Sequence, residues 1–224
     1  MKILNTKLGI QALTHRSWLN EHADAEGSNE RLEFLGDAIL ELIVSEALYR
    51  AFPDRDEGFL TALRSNLVNT KNLAQVAKNL ALGEKIRLSK GEEASGGRTN
   101  ESLLADTVEA VIGAIYLTDG LTETKAFIGE SLLKDLAKKA SEPLKDPKSR
   151  LQELVQAKKL RAPFYRTIKE EGPDHDKQFK IQVQVQDDIL GVGTGKSKAE
   201  AEQNAAKAGL EFLASKEYNK GVWE

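Results

Sequence analysis

The chain has 224 residues, a net charge of -3, no cysteine and three histidines. The missing cysteines exclude disulfides, thiolate metal sites and cysteine nucleophiles. No apolar run approaches the ~20 residues that a membrane span needs. Mean hydropathy is -0.43 and 30% of residues are charged, the balance of a folded, water-facing protein of one or two domains. Residues Met1 to Asn5 lack the apolar core of a signal peptide, so a cytoplasmic protein with no membrane partner is expected. The charge is unevenly spread. Residues 1–147 carry 18 Lys+Arg against 23 Asp+Glu, while residues 148–224 carry 14 against 12. An acidic front half and a mildly basic back half point to different tasks.

Residues 1–140 read as almost entirely helical. A helix over Asn29 to Phe52 opens on a possible cap, and Leu32, Leu35, Ile39, Ile43 and Ala47 recur at helical spacing. Gly58 to Leu80 predicts one or two further helices. Ser89 to Asn100, with Gly91, Gly96 and Gly97 among small polar residues, is expected to be a loop. A strongly apolar helix follows over Leu103 to Leu117, and a last one over Thr122 to Lys139. The two prolines in Ser141 to Pro147 mark a linker.

Residues 148–216 predict the order α-β-β-β-α. The helix spans Ser149 to Lys159, and the strands span Phe164 to Glu170, Phe179 to Gln186 and Ile189 to Thr194. Alternation in Gln178-Phe179-Lys180-Ile181-Gln182-Val183-Gln184-Val185 marks a half-buried strand. Asp187-Asp188 is expected to be a tight hairpin turn. An alanine-rich helix over Ser197 to Ser215 closes the module, followed by a tail over residues 217–224. The expected fold class is therefore an all-α domain plus a small α+β domain, with both helices on one face of an antiparallel sheet.

The chemistry lies in the acids. Glu30, Glu33 and Asp37 share one helical face, and Asp106 and Glu109 repeat the spacing inside an apolar segment. Acids on helix faces are ordinarily solvated. Here the second pair interrupts a stretch that reads as buried and contains no Lys or Arg. An unpaired buried carboxylate is costly, and a divalent cation resolves the conflict. An all-oxygen set suits Mg2+, with Mn2+ able to substitute.

Asn29-Glu30-Arg31-Leu32-Glu33-Phe34-Leu35-Gly36-Asp37 resembles the nine-residue signature of the ribonuclease III family. Leu103-Leu104-Ala105-Asp106-Thr107-Val108-Glu109-Ala110 resembles that family's second acidic stretch, and His15-Arg16-Ser17 and Glu57-Gly58 also match. The resemblance implies a helical catalytic and dimerisation domain over residues 1–140. It implies metal ligation by Glu33, Asp37, Asp106 and Glu109, with Asp37 and Glu109 catalytic and Glu30 and Glu57 in accessory places near the cleavage site. It also implies cleavage of double-stranded RNA, including rRNA and other structured precursors, to 5′-phosphate and 3′-hydroxyl ends with short 3′ overhangs. No small-molecule cofactor is implied. Phe34 reads either as core or, by the resemblance, as part of a homodimer interface.

The back half resembles the double-stranded RNA-binding domain in three places: Lys148 to Gln156, Gly172-Pro173-Asp174-His175, and Gly193 to Gln203. Gln152, Gln156 and His175 are then expected at minor grooves, and Lys196 and Lys198 at phosphates. One departure stands out. Consecutive basic residues usually follow the serine of this last motif, whereas here Ser197-Lys198 runs into Ala199-Glu200. A catalytically silent RNA-binding protein is the alternative reading.

Overall fold

The structure, a computed structural model, describes residues 1–173 and 176–215. His175 and the tail over residues 217–224 lie outside the described residues. The chain divides into two units, Met1–Leu144 and Lys145–Glu224.

In the first unit, α1 (Lys7–Ala12) and α2 (Arg16–Leu19) precede the long α3 (Glu30–Ala51). Next come α4 (Glu57–Val68), α5 (Thr70–Asn79), α6 (Lys90–Ala94), α7 (Glu101–Ser131) and α8 (Leu136–Ser141). The core is built mainly where α3 crosses α7. Leu32, Ile39, Leu40, Ile43, Val44 and Leu48 of α3 are buried against Leu104, Val108, Val111, Ile112 and Ile115 of α7. Each such side chain contributes about 1.5–3 kcal/mol on leaving water. Glycine permits the close approach. A Cβ on Gly36 would meet the Glu109 carbonyl oxygen at 1.8 Å, and one on Gly113 would meet the Leu32 carbonyl oxygen at 2.4 Å.

Several sequence expectations are corrected. Residues 89–100 are not a plain loop, because they hold α6 and a 3-10 turn over Gly97–Thr99. The Ser89 side chain accepts from the Glu92 amide to start α6. Arg98 then pins the segment by donating to the carbonyls of Gly83 and Ile86 and to the Glu93 carboxylate. Helix α7 starts earlier than expected and continues to Ser131, with a kink at Gly120 (φ 83°, ψ -177°). The Thr124 hydroxyl donates to the Gly120 carbonyl at 2.8 Å, so the kink leaves this buried polar group satisfied. The chain then breaks at Leu132 before α8, so no single helix runs to Lys139. Asn29 occupies the cap position of α3 but makes no side-chain cap bond. It is buried, and its amide donates to Thr14.

The second unit consists of α9 (Pro147–Ala157), β1 (Phe164–Glu171), β2 (Gln178–Val185), β3 (Asp188–Gly195) and α10 (Lys198–Ala214). The sheet is antiparallel in the order β1-β2-β3. Asp146 caps α9, and hydrogen bonds from Ser149 and Gln203 hold its carboxyl below the usual range. Ile181, Val183 and Val185 of β2 alternate inward, as their spacing predicts. Val183 and Val185 pack with Leu151, Val155, Leu190, Ala205 and Ala206. The hairpin turn is Gln186-Asp187, because Asp188 already pairs with Val185. Gln186 takes the positive φ of 53° that the tight turn needs.

Candidate metal centre and nucleic-acid interface

The crossing of α3 and α7 gathers the acids. Carboxylate oxygens of Glu33, Asp106 and Glu109 lie within 4.8 Å of one another. Within each helix the spacing puts its acids on one face. The glycine contact then brings the two faces together. Burial pushes the Glu109 carboxyl up to about 8, and the neighbouring charges of Asp37, Asp106, Glu33 and Glu41 add to the rise. Burial also raises Glu33, helped by Asp106, Glu30 and Asp37. Asp106 is raised by burial against an opposing pull from His15. Among the described residues, no Lys or Arg forms an ion pair with Glu33, Asp37, Asp106 or Glu109. Converging oxygens with crowded negative charge and no cationic side chain fit a hard divalent cation.

The other expected site residues are placed unevenly. Asp37 is exposed and outside the group of three, but it is the largest charge acting on Glu109. Glu30 is exposed beside the cluster, accepting from the Ser28 hydroxyl at 2.7 Å with the Arg16 guanidinium 3.8 Å away. Glu57 sits in the first turn of α4, accepting from the Thr61 hydroxyl at 2.9 Å, and is not brought into the group of three. Sequence reading missed Glu41, and it noted His15 only within the matching His15-Arg16-Ser17, with no role at the acids. Glu41 lies one turn beyond Asp37 and was open to the same spacing argument. His15 lies far away in sequence, so spacing could not bring it to Asp106.

The raised Glu109 carboxyl has a consequence for stability. A carboxyl that holds its proton more tightly when folded contributes stability fully below its unfolded value, near 4.5. That contribution is lost as pH rises through about 8. Metal-free protein is therefore expected to melt at progressively lower temperature between pH 5 and 8, and Mg2+ is expected to restore most of the loss at pH 8. Thermal melts in chelator and in Mg2+ check both arms.

In the second unit, Gln152 and Gln156 are exposed on α9, beside the stripe of buried Leu151 and Val155. Lys196 and Lys198 are exposed before and at the start of α10. Lys198 is not free, because its ammonium lies 2.9 Å from Glu170 and 5.6 Å from the Phe179 ring centre. The Glu200 carboxylate accepts the Lys196 amide at 2.7 Å. On α3, Phe34 is 80% exposed, and Leu42 and Tyr49 are exposed at 60% and 74%. Such apolar exposure on one helix is characteristic of an interaction surface.

An acidic helical unit whose converging carboxylates could hold a divalent cation, followed by an α-β-β-β-α unit, is the arrangement of a metal-dependent nucleic-acid protein. Residues 5–136 match the family model described as ribonuclease-III-like, and residues 147–213 match the double-stranded RNA binding motif. The chain is 47% identical to ribonuclease 3 of Natranaerobius thermophilus, over 94% of this chain and 92% of that protein. It is 48% identical to ribonuclease 3 of Enterococcus faecalis, over 91% and 89%. The solved nuclease domain of ribonuclease III from Campylobacter jejuni is 42% identical, with a TM-score of 0.55, over 59% of this chain and 90% of that one. The chain belongs to the ribonuclease III family.

Proposed function

We propose that this protein is a Mg2+-dependent endoribonuclease that cuts double-stranded RNA. The convergence of Glu33, Asp106 and Glu109 carries this reading. These three residues and Asp37 hold the metal, and Glu30 and Glu57 take accessory places at the cleavage site. When bound, Mg2+ supplies Lewis-acid chemistry that offsets negative charge on the phosphodiester and makes water a competent nucleophile at neutral pH. The chain's own groups prepare the site. Glu109 must give up its proton before it can serve as a ligand. Metal affinity is thus expected to rise about tenfold per pH unit below 8, for one proton released. Hydrolysis that expels the 3′-oxygen leaves 5′-phosphate and 3′-hydroxyl ends.

The RNA-binding unit holds the duplex. Gln152 and Gln156 reach one minor groove, and His175 is assigned to another. Lys196 and Lys198 approach the phosphates between the two. Phe34 seats in a second copy of the chain. The dimer then offers two acidic sites, one for each strand, and their offset gives short 3′ overhangs. A solved Campylobacter jejuni relative is described in terms of a region involved in dimer formation, which supports this arrangement. Among the described residues no helix is long and apolar enough to cross a membrane. Action in the cytoplasm on rRNA and other structured precursors completes the proposal.

The reading is tested by incubating the protein with a long, end-labelled RNA duplex, with and without Mg2+. Mg2+-dependent cuts bearing 5′-phosphates support it. Binding without any cut would favour a silent RNA-binding protein.

The phosphate clamp is also testable. Glu170 engages Lys198, and Ala199 stands where the consecutive basic run expected after Ser197 breaks off. Ala199→Lys is expected to tighten duplex binding by roughly tenfold at moderate salt and steepen its salt dependence by about one unit of log–log slope. A salt titration by fluorescence anisotropy reads both.

A further inference from the structure

The His15-Arg16-Ser17 motif is not used by the metal site, yet it borders it. A cleft of about 440 Å³ is lined by His15, Arg16, Ser17 and Asn20 together with Asn100 and Ser102 at the start of α7. Glu92 is the one carboxylate among its described lining residues. Ser102 lies one helical turn before Asp106 on the same face of α7. The charge of His15 acts on Asp106, and Arg16 reaches to within 3.8 Å of Glu30. The cleft therefore adjoins the acidic cluster.

A hydrogen-bond relay fixes what His15 offers. The Ser89 amide donates to the Ser17 hydroxyl oxygen at 3.0 Å. The Ser17 hydroxyl lies 2.8 Å from His15 Nδ1, and the Ser17 amide also donates to that nitrogen at 3.3 Å. The Ser17 amide makes Nδ1 an acceptor, which leaves the ring's N–H at Nε2. His15 is thus held with its Nε2–H as a donor on the cleft wall. Arg16 adds a guanidinium whose side chain is 73% exposed and whose contact with Glu30 is loose, leaving most of its five donors available. Asn20 and Ser102 add an amide and a hydroxyl. The set is rich in donors beside a cluster that repels phosphate.

We propose that this cleft holds a backbone phosphate of the RNA strand next to the bond being cut. Arg16 supplies charge, and His15, Asn20 and Ser102 supply further donors to the non-bridging oxygens. The inference rests on the reading of the acidic cluster as a duplex-RNA cleavage site. It explains how a polyanion is held against a carboxylate-lined centre.

The test uses the full chain and a labelled RNA duplex in chelator, with affinity measured over a series of salt concentrations. Arg16→Gln is expected to lower the log–log salt slope by about one, the loss of a single phosphate contact, and Arg16→Lys to restore it. Ser102→Asp, which puts a negative charge in the cleft, is expected to raise KM for Mg2+-supported cleavage at least about tenfold, with a smaller change in kcat. Thermal melts identify any variant that fails to fold. An unchanged slope in a folded Arg16→Gln protein would overturn the proposal. Arg16→Lys as defective as Arg16→Gln would also overturn it, because the residue would then act through geometry at Glu30. Wild-type protein that never cleaves sinks the catalytic reading alone, since the salt slopes still decide the cleft.

Discussion

Replacing Glu109 by Gln is expected to lower cleavage of duplex RNA at least about a thousandfold, roughly 4 kcal/mol of transition-state stabilisation. RNA binding is expected to stay within about twofold of the wild type. Glutamine keeps the shape and removes the charge. The loss therefore falls on metal ligation, while the groove-reading surface of the second unit is untouched. The same substitution has an opposite effect on the metal-free fold. Burial, with crowding by Asp37, Asp106 and Glu33, pushes the Glu109 carboxyl up to about 8. Removing it abolishes much of the fall in melting temperature between pH 5 and 8. A residue that only packed the interior would give neither the retained binding nor the flattened pH profile. Single-turnover cleavage, anisotropy binding and pH-dependent melting, all on the one variant, separate these outcomes.

Phe34→Asp is expected to weaken self-association at least about a hundredfold. A Phe ring that is 80% exposed in the single chain contributes about 2–3 kcal/mol when it is buried by a partner, and a carboxylate in its place adds a desolvation cost. The fold of one copy should tolerate the change, because the ring lies outside the core. Sedimentation at micromolar concentration is expected to give a dimer for the wild type and a monomer for the variant. Cleavage of both strands at one locus should fall with dimerisation, so nicked duplexes accumulate. A variant that remains dimeric would place the interface elsewhere.

How much of this was legible in the sequence differs between elements. The face of α3 was readable because Leu32, Ile39 and Ile43 recur at helical spacing and each is buried. The β2 alternation was readable for the same reason. The short α6 was not, because its residues favour a loop locally and its order comes from Arg98 reaching back to Gly83 and Ile86. The kink at Gly120 was anticipated only as a gap between two helices. The hairpin moved by one residue because register, rather than turn propensity, placed Gln186 at positive φ.

The site shows the same division. Spacing grouped Glu33 with Asp37 and Asp106 with Glu109, each pair within one helix. That the two helices meet depends on Gly36 against Gly113, a contact between residues far apart in sequence. The structure also ranks the acids in a way that spacing cannot. Glu33, Asp106 and Glu109 converge, Asp37 acts on Glu33 and Glu109 through charge, and Glu57 stands apart on α4. The link from His15 to Ser17 and Ser89 was hidden for the same reason, since Ser89 lies in a different part of the chain.

The central claim is that these carboxylates form a divalent-cation centre. Anomalous scattering from crystals of the full chain grown with Mn2+ tests it most directly. The account predicts an anomalous peak within ligand distance of the Glu33, Asp106 and Glu109 carboxylates, lost in Glu109→Gln crystals. Ordered Mn2+ elsewhere on the chain, with none at these three residues, would contradict it.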